Sequence, residues 1–295
     1  MIASHSRFQF YPMNRMILIA DSGSTKTDWR TIDSSGKIAQ VKTAGMNPYQ
    51  QTTQDIYLEI KERLLPILTE IPSSIHFYGA GCAAEANAAM VKAAIQQAFP
   101  QSDIRVSHDL LAAAHALCDK QPGIACILGT GSNSSLYDGE KIIMQQPSLG
   151  FILGDEGSGA VMGKKLISLY LTKDLPEHIM KKMDEKFDTH LDEVLQNVYK
   201  QPFPNRYLAG FSTILFENLK DPFIYRFVYE QFQQFFENTV CRYPDYKEHK
   251  VHFVGSIAYY YSNILRQVAS DHRITVRNIL ETPIAGLTLY HQHQI

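Results

Sequence analysis

A chain of 295 residues is long enough for two lobes with a core each, and its 45% hydrophobic and 20% charged residues are those of a soluble globular protein. A formal charge of -2 gives no electrostatic reason to expect nucleic acid or an anionic membrane surface as partner. The four cysteines, Cys82, Cys118, Cys126 and Cys241, form no C-x-x-C pair, which argues against a zinc site or a secreted disulfide framework and for a reducing cytoplasm.

The first fifteen residues contain no uninterrupted apolar stretch, so no signal peptide is expected, and no run approaches the roughly 18 apolar residues of a membrane helix. They are assigned no function. From Met16 the pattern becomes regular. Ile17–Ala20, Thr27–Ile32 and Ile38–Thr43 read as three short strands, with turns at Gly23 and at the Asp-Ser-Ser-Gly-Lys of 33–37. The stretch from Thr53 to Leu68 places Ile56, Ile60, Leu64 and Leu65 at helical spacing. A strand and glycine turn follow at 74–81, then an alanine-rich helix to Phe99. The next strand, Asp-Ile-Arg-Val-Ser-His-Asp, ends in Asp109 and leads into another helix.

Residues 123–146 repeat the opening layout. A buried strand, a Gly-Thr-Gly-Ser turn, a second strand, an Asp-Gly turn and a third strand succeed one another, and Gly131-Ser132 corresponds to Gly23-Ser24. Residues 156–245 read as mostly helical, and the aromatic stripe at 223–240 reads as packing. Lys250–Val254 gives a strand, Gly255-Ser256 a turn, and the end of the chain a last helix with Pro283 in its first turn. Strands alternating with helices after an antiparallel meander indicate a mixed sheet flanked by helices, here made twice.

Three glycine turns at strand ends, each with hydroxyl side chains, are the chemical signal. Without Cβ bulk, backbone N–H groups approach an anion closely, and Ser and Thr add donors. Both the Walker pattern and G-x-G-x-x-G after a strand are absent, so neither a P-loop nor a Rossmann site is supported. Asp21 closes a core strand beside such a turn, where a plain hairpin needs only the glycine.

In combination these segments resemble the actin-like sugar kinase and heat-shock chaperone ATPase superfamily, and within it the N-acetylglucosamine kinase group of the dehydratase-activator-like ATPases. The phosphate-1 signature matches Asp21–Asp28, phosphate-2 matches Leu128–Ser134, the adenosine motif matches Phe253–Ala258, and Gly154–Ser158 matches the group's G-D-E-G-S segment. The resemblance covers nearly the whole chain from Met16. It implies a duplicated ribonuclease H-like (actin-like ATPase) two-lobe α/β fold with a nucleotide cleft. Residues 16–120 would form the N-terminal lobe and 121–282 the C-terminal lobe, with 283–295 a helix able to pack back on the first.

The resemblance further implies ATP and Mg²⁺ as cofactors and phosphorylation of the 6-hydroxyl of an N-acetylated amino sugar, of the N-acetylglucosamine or N-acetylmuramic acid class. Asp21 would hold the metal. Gly23, Ser24, Thr25, Gly129, Thr130 and Gly131 would face the phosphates, with Gly255 and Ser256 beside the nucleoside. Asp109 would be the general base, although its place before an alanine-rich helix also suits a helix cap. Asn47, Ser132, Asn133, Gly150 and Asp155 would meet the sugar; turn formation is the local alternative for Asn47, and helix capping for Asp155. The resemblance allows a homodimer. One departure bears on the sugar: the group's Gly-Trp-Gly before G-D-E-G-S reads Ser148-Leu149-Gly150 here, which changes a wall of the pocket. Two other functions compete: an ATPase that activates a redox partner through an iron–sulfur cluster on Cys118 and Cys126, and a silent sugar or nucleotide sensor.

Overall fold

The computed structural model describes residues 16–23, 26–187 and 190–292. The chain divides into two units, one running to Asp109 and taking the chain back from His291, the other spanning Leu110–Tyr290.

In the first unit, β1 (Ile17–Ser22), β2 (Lys26–Ile32) and β3 (Ile38–Ala44) form the antiparallel meander. β4 (Ser74–Gly79) and β5 (Asp103–His108) join it in parallel, giving the order β3-β2-β1-β4-β5. The first helix, α1 (Thr53–Glu59), opens on a capping box between Thr52 and Asp55. Its continuation is not α-helical: residues 60–64 widen to a π-turn and 65–67 tighten to a 3₁₀ turn. Pro66 has no N–H for the ladder, so the expected helix to Leu68 cannot continue unchanged. α2 (Glu85–Ala98) packs with α1 on one face of the sheet, over Leu18, Ala20, Trp29, Phe77 and Ile104. Trp29 is fully buried and its indole N–H donates to Thr43 Oγ1 at 2.9 Å, so the chain's single tryptophan is a core residue.

The second unit starts within α3 (Asp109–Cys118). β6 (Gly123–Leu128), β7 (Ser132–Tyr137) and β8 (Ile142–Gln145) repeat the meander. β9 (Val251–Val254) and β10 (Val276–Leu280) complete the order β8-β7-β6-β9-β10, the same arrangement as in the first unit. The duplication expected from the two meanders is therefore present strand for strand. β10, which lacks a clear alternating pattern, was not foreseen; it pairs with β9 through an irregular register.

Helices fill the stretch before β9: α4 (Gly150–Leu153), α5 (Gly159–Leu171), α6 (Glu177–Lys186), α7 (Leu191–Tyr199), α8 (Pro204–Gly210), α9 (Ser212–Glu217) and α10 (Pro222–Asn238). α10 is capped by Asp221, whose carboxylate accepts from the N–H groups of Phe223 and Ile224, with Pro222 in its first turn. Its aromatic stripe, Phe227, Phe232, Phe235 and Phe236, packs in the main core of this unit. After β9 come α11 (Ser256–Tyr260), α12 (Ser262–Asp271) and α13 (Ile284–Gln292).

α5 and α8 approach so closely that a Cβ on Gly163 would lie 1.8 Å from Leu208 O. Alanine is favoured over glycine inside a helix by about 1 kcal/mol, whereas forcing two helix backbones apart costs about 3 kcal/mol. Gly163→Ala should therefore destabilise the protein, read as a lower midpoint in thermal or urea unfolding.

Candidate active site

The first unit's candidate residues gather where β1 and β5 end. Asp21 sits in register with Asp28 on β2 and Tyr78 on β4. Asp28 is buried and met by two lysines, Lys26 Nζ at 3.2 Å and Lys42 Nζ at 3.8 Å. Asp21 is held differently. Burial raises its pKa to about 7, the charges of Asp28 and Asp109 push the same way, and Lys26 opposes them. Three carboxylates thus share one region, and the cation that would favour the ionised Asp21 is only partly supplied by Lys26.

Asp109 is the first residue of α3, immediately after β5. The expected strand-end carboxylate is thus also a first-turn helix acid, and its charge acts on Asp21. Gly23 is exposed, and its N–H donates to Lys26 O at 3.0 Å, closing the turn. Ser24 and Thr25 lie outside the described residues. Asn47 is buried in this unit as a turn residue: its Oδ1 accepts the N–H of Tyr49 at 3.0 Å and its own N–H donates to Gln51 Oε1 at 2.8 Å.

In the second unit the loop Gly129–Gly131 is fixed by the start of α5. Gly159 N–H donates to Gly129 O at 2.8 Å and Ala160 N–H to Thr130 O at 3.0 Å, so the helix's early orphan donors hold the loop from below. No backbone carbonyl among the described residues takes the N–H of Thr130 or Gly131. These two donors suit an anion.

Gly255 and Asp155 flank this loop. Gly255 has φ +123°, and a Cβ there would lie 2.2 Å from Leu128 O, so only glycine lets β9 turn this close to the loop's entry. At the other end, a Cβ on Gly131 would lie 2.8 Å from Asp155 Oδ2. Asp155 itself has φ +58°, a conformation aspartate tolerates better than most residues. Its carboxylate takes the N–H of Ser132, yet burial prevails and, with Glu156 nearby, raises its pKa.

Two cavities adjoin the loop's flanks in this unit. One, of about 420 Å³, is lined by Ser256, Ile257, Tyr260, Tyr261, Phe216 and Ser212. Phe216 and Tyr260 meet edge to face at 5.2 Å, and Tyr261 Oη donates to Ser212 O at 2.6 Å, so the walls are fixed aromatic surfaces. The other, of about 270 Å³, is lined by Ser132, Asn133 and Asp155 together with Gln146, Asn238 and Arg242. Gly150, at φ +72° at the start of α4, does not line it, although its neighbour Leu149 does.

Solved structures with this architecture include proteins named as sugar kinases. A Porphyromonas gingivalis protein provisionally named an N-acetylglucosamine kinase is 40% identical, with a TM-score of 0.88, over 94% of this chain and 99% of its own. This chain belongs to the N-acetylglucosamine kinase-like family of sugar kinases. Two more distant structures share the fold. A Chromobacterium violaceum protein, also provisionally named an N-acetylglucosamine kinase, is 18% identical with a TM-score of 0.66 over 95% of this chain and 99% of its own. A Streptomyces griseus glucokinase bound to glucose and AMPPNP is 12% identical with a TM-score of 0.53 over 93% of this chain and 97% of its own. No protein-family model matches the chain, nor does any curated protein.

Membership of this family fits the arrangement of motifs, and the aromatic residues of the larger cavity are what the sequence reading missed. Phe216, Tyr260 and Tyr261 belong to no signature: Tyr260 lies one turn beyond Ser256 on α11 with Tyr261 next to it, and Phe216 comes from α9. Cys118 and Cys126 are buried, and burial raises both thiols above their usual range. Among the described residues no group of three or more His, Cys, Asp or Glu could hold a metal ion, and no helix is long and apolar enough to cross a membrane.

Proposed function

We propose that this protein is an ATP-dependent kinase that phosphorylates the 6-hydroxyl of an N-acetylated amino sugar. The observation that carries the reading is the order of sites in the second unit: the aromatic cavity at Ser256, the anion-suited loop 129–131, and the polar cavity at Ser132, Asn133 and Asp155. Adenine, phosphates and sugar are needed in that order. Asp155 accepts two vicinal sugar hydroxyls, Ser132 and Asn133 bond further polar groups, and Thr130 and Gly131 donate to phosphate oxygens. Asn47, Gly23 and Gly150 remain assigned to sugar, phosphate and sugar, respectively, on the family resemblance.

Asp21 suits Mg²⁺, which takes one or two carboxylates and keeps its remaining ligands as water and phosphate; a buried, charge-crowded carboxylate gains a counter-ion that way. When bound, the metal neutralises phosphate charge. Asp109 accepts the proton of the sugar hydroxyl as its oxygen bonds to the γ-phosphorus. The bond from that phosphorus to the β–γ bridging oxygen breaks, and ADP leaves.

A coupled ADP-release assay over N-acetylhexosamines, glucosamine and anhydro-sugars tests this. Release should require Mg²⁺ and an N-acetylated amino sugar together, and the product should carry phosphate at C6. Sugar-independent ATP hydrolysis, or silence with every sugar, would sink the reading.

A further inference from the structure

We infer that Lys164 is a positioning residue for Asp155: it anchors the segment that leads into Asp155 and supplies the cation that keeps this carboxylate ready for sugar hydroxyls. The inference rests on the kinase reading, which makes Asp155 a sugar ligand, and adds to it the group that fixes that ligand. Lys164 lines the apolar cavity beside α4 and α7, not the smaller cavity, so it acts through Asp155.

The segment needs an anchor. α4 is four residues long, has no side-chain cap, and is bounded by Gly150 and Gly154. Phe151 packs on the core of this unit, but Leu149, Ile152 and Leu153 are each more than half exposed, so burial does little to hold the rest. Lys164 Nζ, on α5, donates to Phe151 O at 2.5 Å, one of the carbonyls that so short a helix leaves without an intrahelical partner. Leu149 on one side of α4 and Gly154, Asp155 and Glu156 on the other all line the smaller cavity. A shift of α4 therefore moves Asp155.

Lys164 is itself held in place. At its neighbour Gly163, α5 lies so close to α8 that no Cβ fits. The first turn of the same helix binds Gly129 O and Thr130 O, so one element carries both the anion-suited loop and the anchor of α4.

A neutral donor would serve Phe151 O as well, yet the residue is charged. No carboxylate lies within ion-pair distance of Lys164 among the described residues, and Ile152, Ile167, Leu171 and Leu208 line the same cavity. A cation against an apolar wall is costly unless its charge is used. Burial raises the pKa of Asp155, the Ser132 N–H lowers it, Glu156 raises it and Lys164 lowers it. The other cations nearby are placed differently: Lys165 bonds Gln234 Oε1 at 2.8 Å, and Arg242 lines the smaller cavity from the 3₁₀ turn after α10. Only an ionised carboxylate accepts hydroxyl hydrogens on both oxygens, so opposing its protonation favours sugar binding.

The test follows N-acetylglucosamine binding by calorimetry across pH, with steady-state kinetics beside it. Lys164→Met should raise Kd and KM for the sugar by about tenfold, with kcat and the KM for ATP changed by no more than about twofold. Sugar binding should also be lost at a higher pH on acidification than in the wild type, because a carboxyl deprived of its cation protonates sooner. Lys164→Gln, which keeps an N–H donor and drops the charge, should show the same displacement with a smaller rise in Kd at pH 8; Lys164→Arg should restore both. A Kd in Lys164→Met equal to wild type at every pH overturns the inference. So does a rise that is uniform with pH and persists in Lys164→Arg, the mark of a merely structural residue. If the wild type binds N-acetylglucosamine and transfers no phosphate to any sugar, the kinase reading fails while the calorimetric series still decides on Lys164. A wild type that binds no member of the sugar panel overturns both.

Discussion

Asp109→Asn is expected to lower sugar-dependent ADP release by roughly 10³-fold while the affinity for ATP changes by less than about threefold. Asparagine keeps the size and a polar oxygen but cannot accept the hydroxyl proton. The competing role of Asp109 is structural, as the first residue of α3 after β5. Magnitudes separate the two. A first-turn acid contributes about 0.3–1 kcal/mol to a helix, whereas 10³ in rate corresponds to about 4 kcal/mol of transition-state stabilisation. A variant that folds normally and binds ATP yet turns over at wild-type rate would remove Asp109 from the chemistry. ADP release and nucleotide calorimetry on one preparation supply both readings.

Asp21→Asn is expected to abolish most turnover and, without nucleotide or metal, to make the protein more stable at pH 8. The folded pKa of Asp21 is raised from 3.8 to about 7, first by burial and then by Asp28 and Asp109. Between those two values the folded state holds a proton that the unfolded state has released. Stability from this group is therefore complete below the unfolded pKa and is lost as pH rises through about 7. Above that, the penalty of a buried charged carboxylate is constant, on the order of 4 kcal/mol. Asparagine carries no such charge, so its unfolding midpoint should exceed wild type at pH 8 and converge with it near pH 4. Equal midpoints at both pH values would show that Asp21 is not held in a desolvated, charge-crowded place. A carboxylate that weakens the free protein and is needed for turnover is a residue kept for its ligand.

Much of the fold was legible because burial has a period. The strands of both meanders appeared as apolar runs closed by glycine or Asp-Gly turns, and their repetition exposed the duplication. What failed had local causes. The stretch expected to be helical to Leu68 stays helical to Ile67 but changes type, to a π-turn from Ile60 and a 3₁₀ turn around Pro66, whereas β10 went unseen because its residues are only partly buried at a sheet edge. The site divides in the same way. Gly255 was legible as a glycine the turn after β9 requires, whereas Asp21, in β1, and the loop 129–131 were picked out by their place in the family motifs. Asn47 and Asp109 carried two readings from sequence; Asn47 does form the local turn, and Asp109 stands as the first residue of α3.

Gln146, Phe216, Arg242 and Tyr261 had no signature at all. They belong to four separate segments of the chain, and each is an ordinary residue in its own stretch. Sequence alone determined the two meanders, the glycine turns and the carboxylates at their ends, because backbone sterics and desolvation act locally and leave a local pattern. Which aromatic faces wall the larger cavity, and which guanidinium and amide meet in the smaller one, was decided only by tertiary packing. A cavity is defined by residues distant in the chain, and the hydroxyl of Tyr243 reaching Ser134 and Gln146 is a contact that no spacing encodes.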